Sequence, residues 1–242
     1  MIDSLTKRSL VRFFLLLCFC CAPVVHAEIN IKLTGSCEQF NSVIKKGTLE
    51  EAIIFMSYRA SANGQVTAYN HALFSAGYKI PLVDRSLENP EIYLLKKMVT
   101  TCKQVEPHLN QYPYLVAENI AVLIKERYKK QNQWVNFNFK TLLDNSEKKA
   151  FLTTQGLNIG LGNEACKVVS KNTKEKLSDR FLYKVWAAGY FVPYILMKDL
   201  EQEQGLDMLE AVYEQSLEYC SKVPNVVYAR AVLAAVAEVV KR

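Results

Sequence analysis

The sequence predicts an all-α protein made of two related helical units, each closed by one disulfide. Three observations carry that expectation. Cys37 and Cys102 bracket a span of 65 positions, and Cys166 and Cys220 bracket one of 54. Aromatics sit at similar depth in both: Phe55 and Tyr58 lie 18 and 21 positions past the first opening cysteine, Tyr183 and Trp186 lie 17 and 20 past the second. Each closing cysteine is followed by a proline, Pro107 or Pro224, and then by an alanine- and valine-rich run of helical character.

Composition bounds the class. Half of the 242 residues are hydrophobic and 22% are charged, so the chain has the apolar surface for a real core and is not disordered throughout. Lys7, Arg8 and Arg12 against Asp3 put +2 of the formal +6 in the first 27 residues. The remaining +4 is weak and scattered, and gives no reason to expect nucleic acid. Residues 1–27 have the form of a secretory signal, with a basic start, an apolar run from Phe13 to Ala22, and small residues at Val25-His26-Ala27 that place cleavage after Ala27. The run is about half the ~20 residues of a spanning helix, so no stable membrane insertion is expected after cleavage. The expected compartment is the periplasm or the exterior. Cleavage would leave four of seven cysteines, an even number suited to an oxidising compartment. Four cysteines allow three connectivities. The repeat favours Cys37–Cys102 and Cys166–Cys220, since each unit then closes on itself, and loops of this length gain about 4 kcal/mol in the chain-entropy account.

The expected layout is a first unit at 28–130, a linker packed between units at 131–162 and a second unit at 163–242. Residues 28–36 are β-prone (Ile29, Ile31, Leu33) and form either an edge strand or an extended arm. A short helix follows from Cys37. Thr48 caps the next, with Glu50 and Glu51 in its first turn and Ile53, Ile54, Tyr58 and Ala62 at helical spacing. Asn63-Gly64 has the look of a stop, with continuation through Tyr69 as the alternative. Gly77 and Pro81 punctuate an irregular stretch, and Asn89-Pro90-Glu91 starts a helix that puts Ile92, Leu95, Met98, Val99 and Cys102 on one face. Leu115–Lys130 is another helix, with Val116, Ile120, Leu123 and Ile124 inward. In the linker, Trp134, Phe137 and Phe139 wedge the joint, and 135–139 alternates enough for a short strand. The second unit holds a short helix after Cys166, one from Thr173 to about Phe191 that Gly189 and Pro193 break or kink, one over Leu206–Tyr219, and an almost wholly apolar one over Val226–Val240.

The chemistry-bearing residues give no constellation. Gly156, Gly160 and Gly162 lack the lysine and hydroxyl ending of a phosphate loop, so Gly160-Leu161-Gly162 is taken as linker. His71 and His108 have no local partner, and the cysteines lack metal-ligand spacing, so neither metal nor cofactor is expected. An oxidised cysteine offers no thiolate, and no Gly-x-Ser-x-Gly occurs. Glu50/Glu51 and Glu201/Glu203 are ordinary solvated charges. Tyr58, Tyr69, Tyr183, Trp186, Tyr190 and Tyr194 fall at helical spacing, for which core packing is the default. Tyr58, Tyr69, Trp134, Tyr190 and Tyr194 are the candidates for a partner-binding groove.

At Cys37-Glu38-Gln39-Phe40 with Cys102, and again at Cys166 with Cys220, the chain resembles the HdeA-like family of small exported helical proteins. Two copies would cover roughly 35–130 and 164–242. The second departs from the pattern, since Cys166-Lys167-Val168-Val169 lacks the aromatic. The resemblance implies a helical fold stapled by one disulfide per copy, an exported location, and a periplasmic chaperone as one activity. A similar helix pattern with a cysteine and a downstream Asn/Val-Pro turn occurs in periplasmic immunity proteins against secreted toxins. The resulting expectation is a non-catalytic protein that binds a protein partner through a rigid helical surface, inhibitor- or immunity-like. An acid- or stress-related chaperone is the first alternative and a secreted enzyme of unrecognised type the second. The oligomeric state is not assigned by the sequence.

Overall fold

The computed structural model describes residues 37, 40, 49–77, 97–102, 116, 119–120, 157–198 and 202–241. The described residues are helical with no strand; an isolated bridge joins Ala165 to Val227. The elements are α1 (Leu49–Ser75), a single 3₁₀ turn at Gly160–Asn163, α2 (Cys166–Glu175), α3 (Leu177–Lys198), α4 (Gln202–Lys222) and α5 (Tyr228–Lys241). Residues 97–102 and positions 37, 40, 116, 119 and 120 are also helical. The all-α expectation holds, and both expected disulfides, Cys37–Cys102 and Cys166–Cys220, are present. The arm at 28–36, the strand at 135–139 and the aromatics Trp134, Phe137 and Phe139 lie outside the described residues.

Two apolar clusters grow around the two disulfides. Around Cys37–Cys102, Phe40, Ala62, Val66, Leu73, Met98, Val116 and Ile120 are buried, and Phe40 meets Tyr58 edge-on at 5.3 Å. In α2 to α5, where Cys166–Cys220 ties α2 to α4, Val169, Tyr183, Trp186, Val212, Tyr213, Tyr228 and Val232 are buried. Tyr228 packs against Tyr183 at 5.3 Å and against Trp186 at 5.6 Å. The second disulfide is backed by main-chain bonds. Cys166 N–H donates to the Val226 carbonyl (2.8 Å), Lys167 N–H to Pro224 (2.9 Å) and Tyr228 N–H to Glu164 (2.8 Å). The start of α2 is thereby sewn to the turn between α4 and α5.

The two clusters meet where α1 crosses α3, the most extensive helix contact among the described residues. The crossing is backbone on backbone. A Cβ on Gly64 would stand 2.2 Å from the Trp186 carbonyl oxygen, and one on Gly189 would stand 2.0 Å from the Ser61 carbonyl oxygen. These contacts are reciprocal, as a two-fold pairing requires. Gly64 and Gly189 are 125 positions apart, and so are Ser61 and Trp186. The same offset superposes Tyr58 on Tyr183, Arg59 on Lys184, Ala62 on Ala187 and Tyr69 on Tyr194. The aromatic spacing read from the cysteines aligns Tyr58 with Trp186 instead. The crossing shifts that register by three residues, close to one helical turn.

The structure also corrects three helix ends. Asn63-Gly64 is no stop, since α1 runs on past Tyr69 to Ser75. Gly189 and Pro193 do not end α3, which continues to Lys198. Pro193 has no N–H for the carbonyl of Gly189, four residues back, yet the helix persists because both faces there are buried. The helices that follow Cys166 divide at Lys176, three residues after Thr173, the expected start.

Gly189→Ala is expected to destabilise the protein by at least about 2 kcal/mol, because the added methyl meets main chain that has no rotamer to yield. Gly205→Ala, on α4, is the contrast. Its Cβ would lie 3.4 Å from the Ile195 side chain, an ordinary contact, and removing a helix-interior glycine gains up to about 1 kcal/mol. Denaturant melts of the two variants check the difference in sign.

Candidate functional site

The crossing carries a buried polar joint. α1 presents Asn63, Gln65, Thr67, Asn70 and His71, all at most 5% exposed, on a stretch where a core helix would ordinarily be apolar. Most of these groups hold the segment that enters the second half. Asn70 Nδ2 donates to the Leu157 carbonyl (3.0 Å), and the Ile159 N–H donates to Thr67 Oγ1 (3.0 Å). Trp186 Nε1 donates to the Ile159 carbonyl (3.0 Å) from α3. Gly162 then lies against the Trp186 ring, where a Cβ would stand 2.3 Å from a ring carbon. Gly160-Leu161-Gly162 is therefore not slack linker. It is a 3₁₀ turn whose Gly160 has φ +61° and whose Gly162 clears space for the indole.

His71 is the centre of this joint. Its Nδ1 lies 2.7 Å from the Tyr190 hydroxyl and its Nε2 lies 2.7 Å from Asn158 Oδ1. An amide oxygen only accepts, so Nε2 carries the proton and Nδ1 accepts from Tyr190. One imidazole thus ties α1, α3 and the 157–159 segment together. Burial lowers the His71 pKa to about 4, the Asn158 bond opposing that only in part. Burial also raises the Tyr190 and Tyr194 phenols well above their usual range, so both stay neutral.

Gln65 stands at the position equivalent to Tyr190 in the 125-residue register. It is fully buried, and neither its Nε2 nor its Oε1 has a hydrogen-bond partner. An unmade amide bond inside a helix crossing costs stability and buys no contact.

The candidate partner-binding aromatics divide on burial. Tyr190 and Tyr194 are 0% and 3% exposed, so they belong to the core and offer no groove, a correction to the sequence expectation. They were taken inside because α3 is covered on one face by α1 and on the other by the second apolar cluster. Tyr58 and Tyr69 are half-buried against the first cluster. Trp134 lies outside the described residues. Trp186 is fully buried, stacked on Tyr190 at 5.6 Å. His108 is outside the described residues as well.

Among the described residues no cluster of three or more His, Cys, Asp or Glu has the form of a metal site, and no helix is long and apolar enough to cross a membrane. Compared with protein families, characterised proteins and solved structures, the chain matches none.

Two outcomes follow from the joint. A histidine that titrates near 6.5 unfolded and about 4 folded makes the unfolded chain bind more protons between those values. The His71 contribution is therefore whole above pH 6.5, falls as pH drops through the window by about 3 kcal/mol, and changes no further below pH 4. His71→Gln is expected to flatten that segment of the stability–pH curve relative to the native chain. Gln65→Leu is expected to gain about 1 kcal/mol in a urea melt at pH 7, by removing two unsatisfied polar atoms at similar volume.

Proposed function

We propose that the protein is an exported, non-catalytic binder that holds a protein partner on a rigid helical surface, in the manner of an inhibitor or immunity protein. The observation that carries this reading is the crossing of α1 and α3, backbone on backbone, with a disulfide closing each side. A body fixed in this way has little conformational freedom left to lose on association, and so binds with a smaller entropic cost. The disulfides suit the oxidising compartment that the signal-like residues 1–27 imply. The reciprocal contacts between Gly64 and Gly189 suit a tandem of two related units of HdeA-like type.

A second reading is an acid-responsive chaperone, and His71 is the observation that favours it. A buried neutral imidazole between the halves is a group whose protonation loosens the joint and uncovers apolar surface. The first reading fits better, because the two disulfides limit how far either half can open.

The immobilised full chain, challenged with envelope extract at pH 7, is expected to retain one dominant protein at saturable 1:1 stoichiometry. Reduction of both disulfides is expected to release it. In parallel, dye binding and suppression of client aggregation are followed from pH 7 to pH 2. No retained protein at pH 7, together with suppression confined to low pH, would replace the first reading by the second.

A further inference from the structure

Four lysines crowd the corner where α2 meets α3. Lys167, Lys171 and Lys174 fall at i, i+4 and i+7, which puts them on one stripe of α2, and Lys176 follows at the break. All four are exposed, and none makes an ion pair among the described residues. Val168 stands beside the stripe, 38% exposed, and Leu177 closes it at 82%, the largest exposure of a bulky apolar residue among those described. The counter-charges nearby in sequence are Glu164, which accepts from the Tyr183 hydroxyl, Glu175 and Asp179. Arg180 belongs to a different arrangement, since it faces Glu214 on α4 at 3.6 Å.

The corner is fixed from behind. Cys166 and Val169 are fully buried, the disulfide holds the first residue of α2, and main-chain bonds join Cys166 and Lys167 to Val226 and Pro224. The lysines therefore project from a helix that cannot swing away. The acidic stripe of α4 is of another kind. Of Asp207, Glu210, Glu214 and Glu218, the last three already face Lys184, Arg180 and Lys222. Three carboxylates of the α4 stripe have basic partners within the molecule, and the lysines of the α2 stripe have no acidic one among the described residues.

We propose that the α2–α3 corner is the docking face of the protein and that its occupant is a protein presenting an acidic surface with an apolar recess for Leu177. The proposal rests on the reading of the chain as a protein binder and names the surface and the partner's chemistry. A second copy of the chain is a poor fit, because three of the four α4 carboxylates that would meet the lysines have partners of their own. A membrane is a poor fit too. Surface-lying helices sink a broad apolar face into the lipid, whereas the apolar residues Cys166 and Val169 of α2 are turned into the core. Nucleic acid would be met by lysines and arginines tracking the phosphates with aromatics stacking on unpaired bases, whereas this stripe is short, holds Glu175 and carries no ring. Lysine charge at the rim sets the encounter rate and the choice of partner, and a desolvated leucine supplies the hold.

The test pans a displayed library of random peptides on the full, oxidised chain. The recovered peptides are then measured against a Lys167→Glu, Lys171→Glu, Lys174→Glu, Lys176→Glu variant, against Leu177→Ser, and against Lys241→Glu at the exposed end of α5. Expected are peptides rich in Asp and Glu around a large apolar residue. They should bind the native chain and Lys241→Glu alike, the charge-reversed variant at least about thirtyfold more weakly, and Leu177→Ser about tenfold more weakly. All five substitutions in the two corner variants are on exposed side chains, so their thermal melts should match the native one. Peptides without acidic bias, peptides that bind the charge-reversed variant equally, or no enrichment at all would overturn the assignment. So would lysine-dependent retention on vesicles of phosphatidylglycerol and phosphatidylcholine without peptide selection. Because the envelope-extract experiment reads the native partner without reference to this face, a partner retained there by the charge-reversed variant would sink the face and leave the binder reading standing.

Discussion

The structure depends on how closely two helices approach. At most helix contacts, side chains interlock and hold the axes 8–10 Å apart. At Gly64 and Gly189 there is no side chain on either helix, and main chain lies against main chain. That proximity has consequences along both elements. It brings the His71 ring within reach of the Tyr190 hydroxyl, places Trp186 over the Gly160–Asn163 turn, and lets Asn70 and Thr67 take hold of the entering segment. Wider spacing would leave each of these polar groups without its partner and inside the protein, where the unmet bond is most costly.

The joint is polar where the two flanking clusters are apolar, and that division has a physical use. Apolar packing is tolerant of register, since a helix slid by one turn still buries comparable area. Hydrogen bonds at 2.7 Å from both nitrogens of one imidazole are not tolerant. The clusters around the disulfides supply bulk stability, and the joint supplies the alignment between them. Gln65 is the part of this arrangement that the partner helix does not answer.

Much of the fold could be read in the chain, and the unread parts have one cause. Helical periodicity, the cysteine pairing and the burial of Trp186 are local or repeat-borne properties, and they were legible. The ends of α1 and α3 were not. Glycine and proline lower helix propensity wherever they occur, but here Gly64, Gly189 and Pro193 sit at a contact that holds the helix regardless. His71 gave no signal because its partners are 119 and 87 positions away. Gly160-Leu161-Gly162 looked like spacer for the same reason, since Trp186 lies beyond any local window. A signal did exist in the recurrence of Tyr58-Arg59, Ala62, Gly64 and Tyr69 as Tyr183-Lys184, Ala187, Gly189 and Tyr194. Counting from the cysteines hid it by three residues. The lysines of α2 drew no reading from the sequence, and only their lack of ion-pair partners among the described residues, beside the paired stripe of α4, sets them apart.

The reciprocity of the crossing also bears on how chains recognise themselves. Helix α1 pairs with α3 in preference to another α1, because the position equivalent to Tyr190 is Gln65 and the position equivalent to His71 is Leu196. A like-with-like pair therefore loses the imidazole bridge. Nothing in the contact, however, distinguishes an α3 of the same chain from an α3 of a neighbouring one. Two copies that exchange their halves would keep every joint bond, the glycine contacts and both disulfides. A closed chain and an exchanged pair then differ in the effective concentration that the intervening chain imposes, and in nothing at the interface itself.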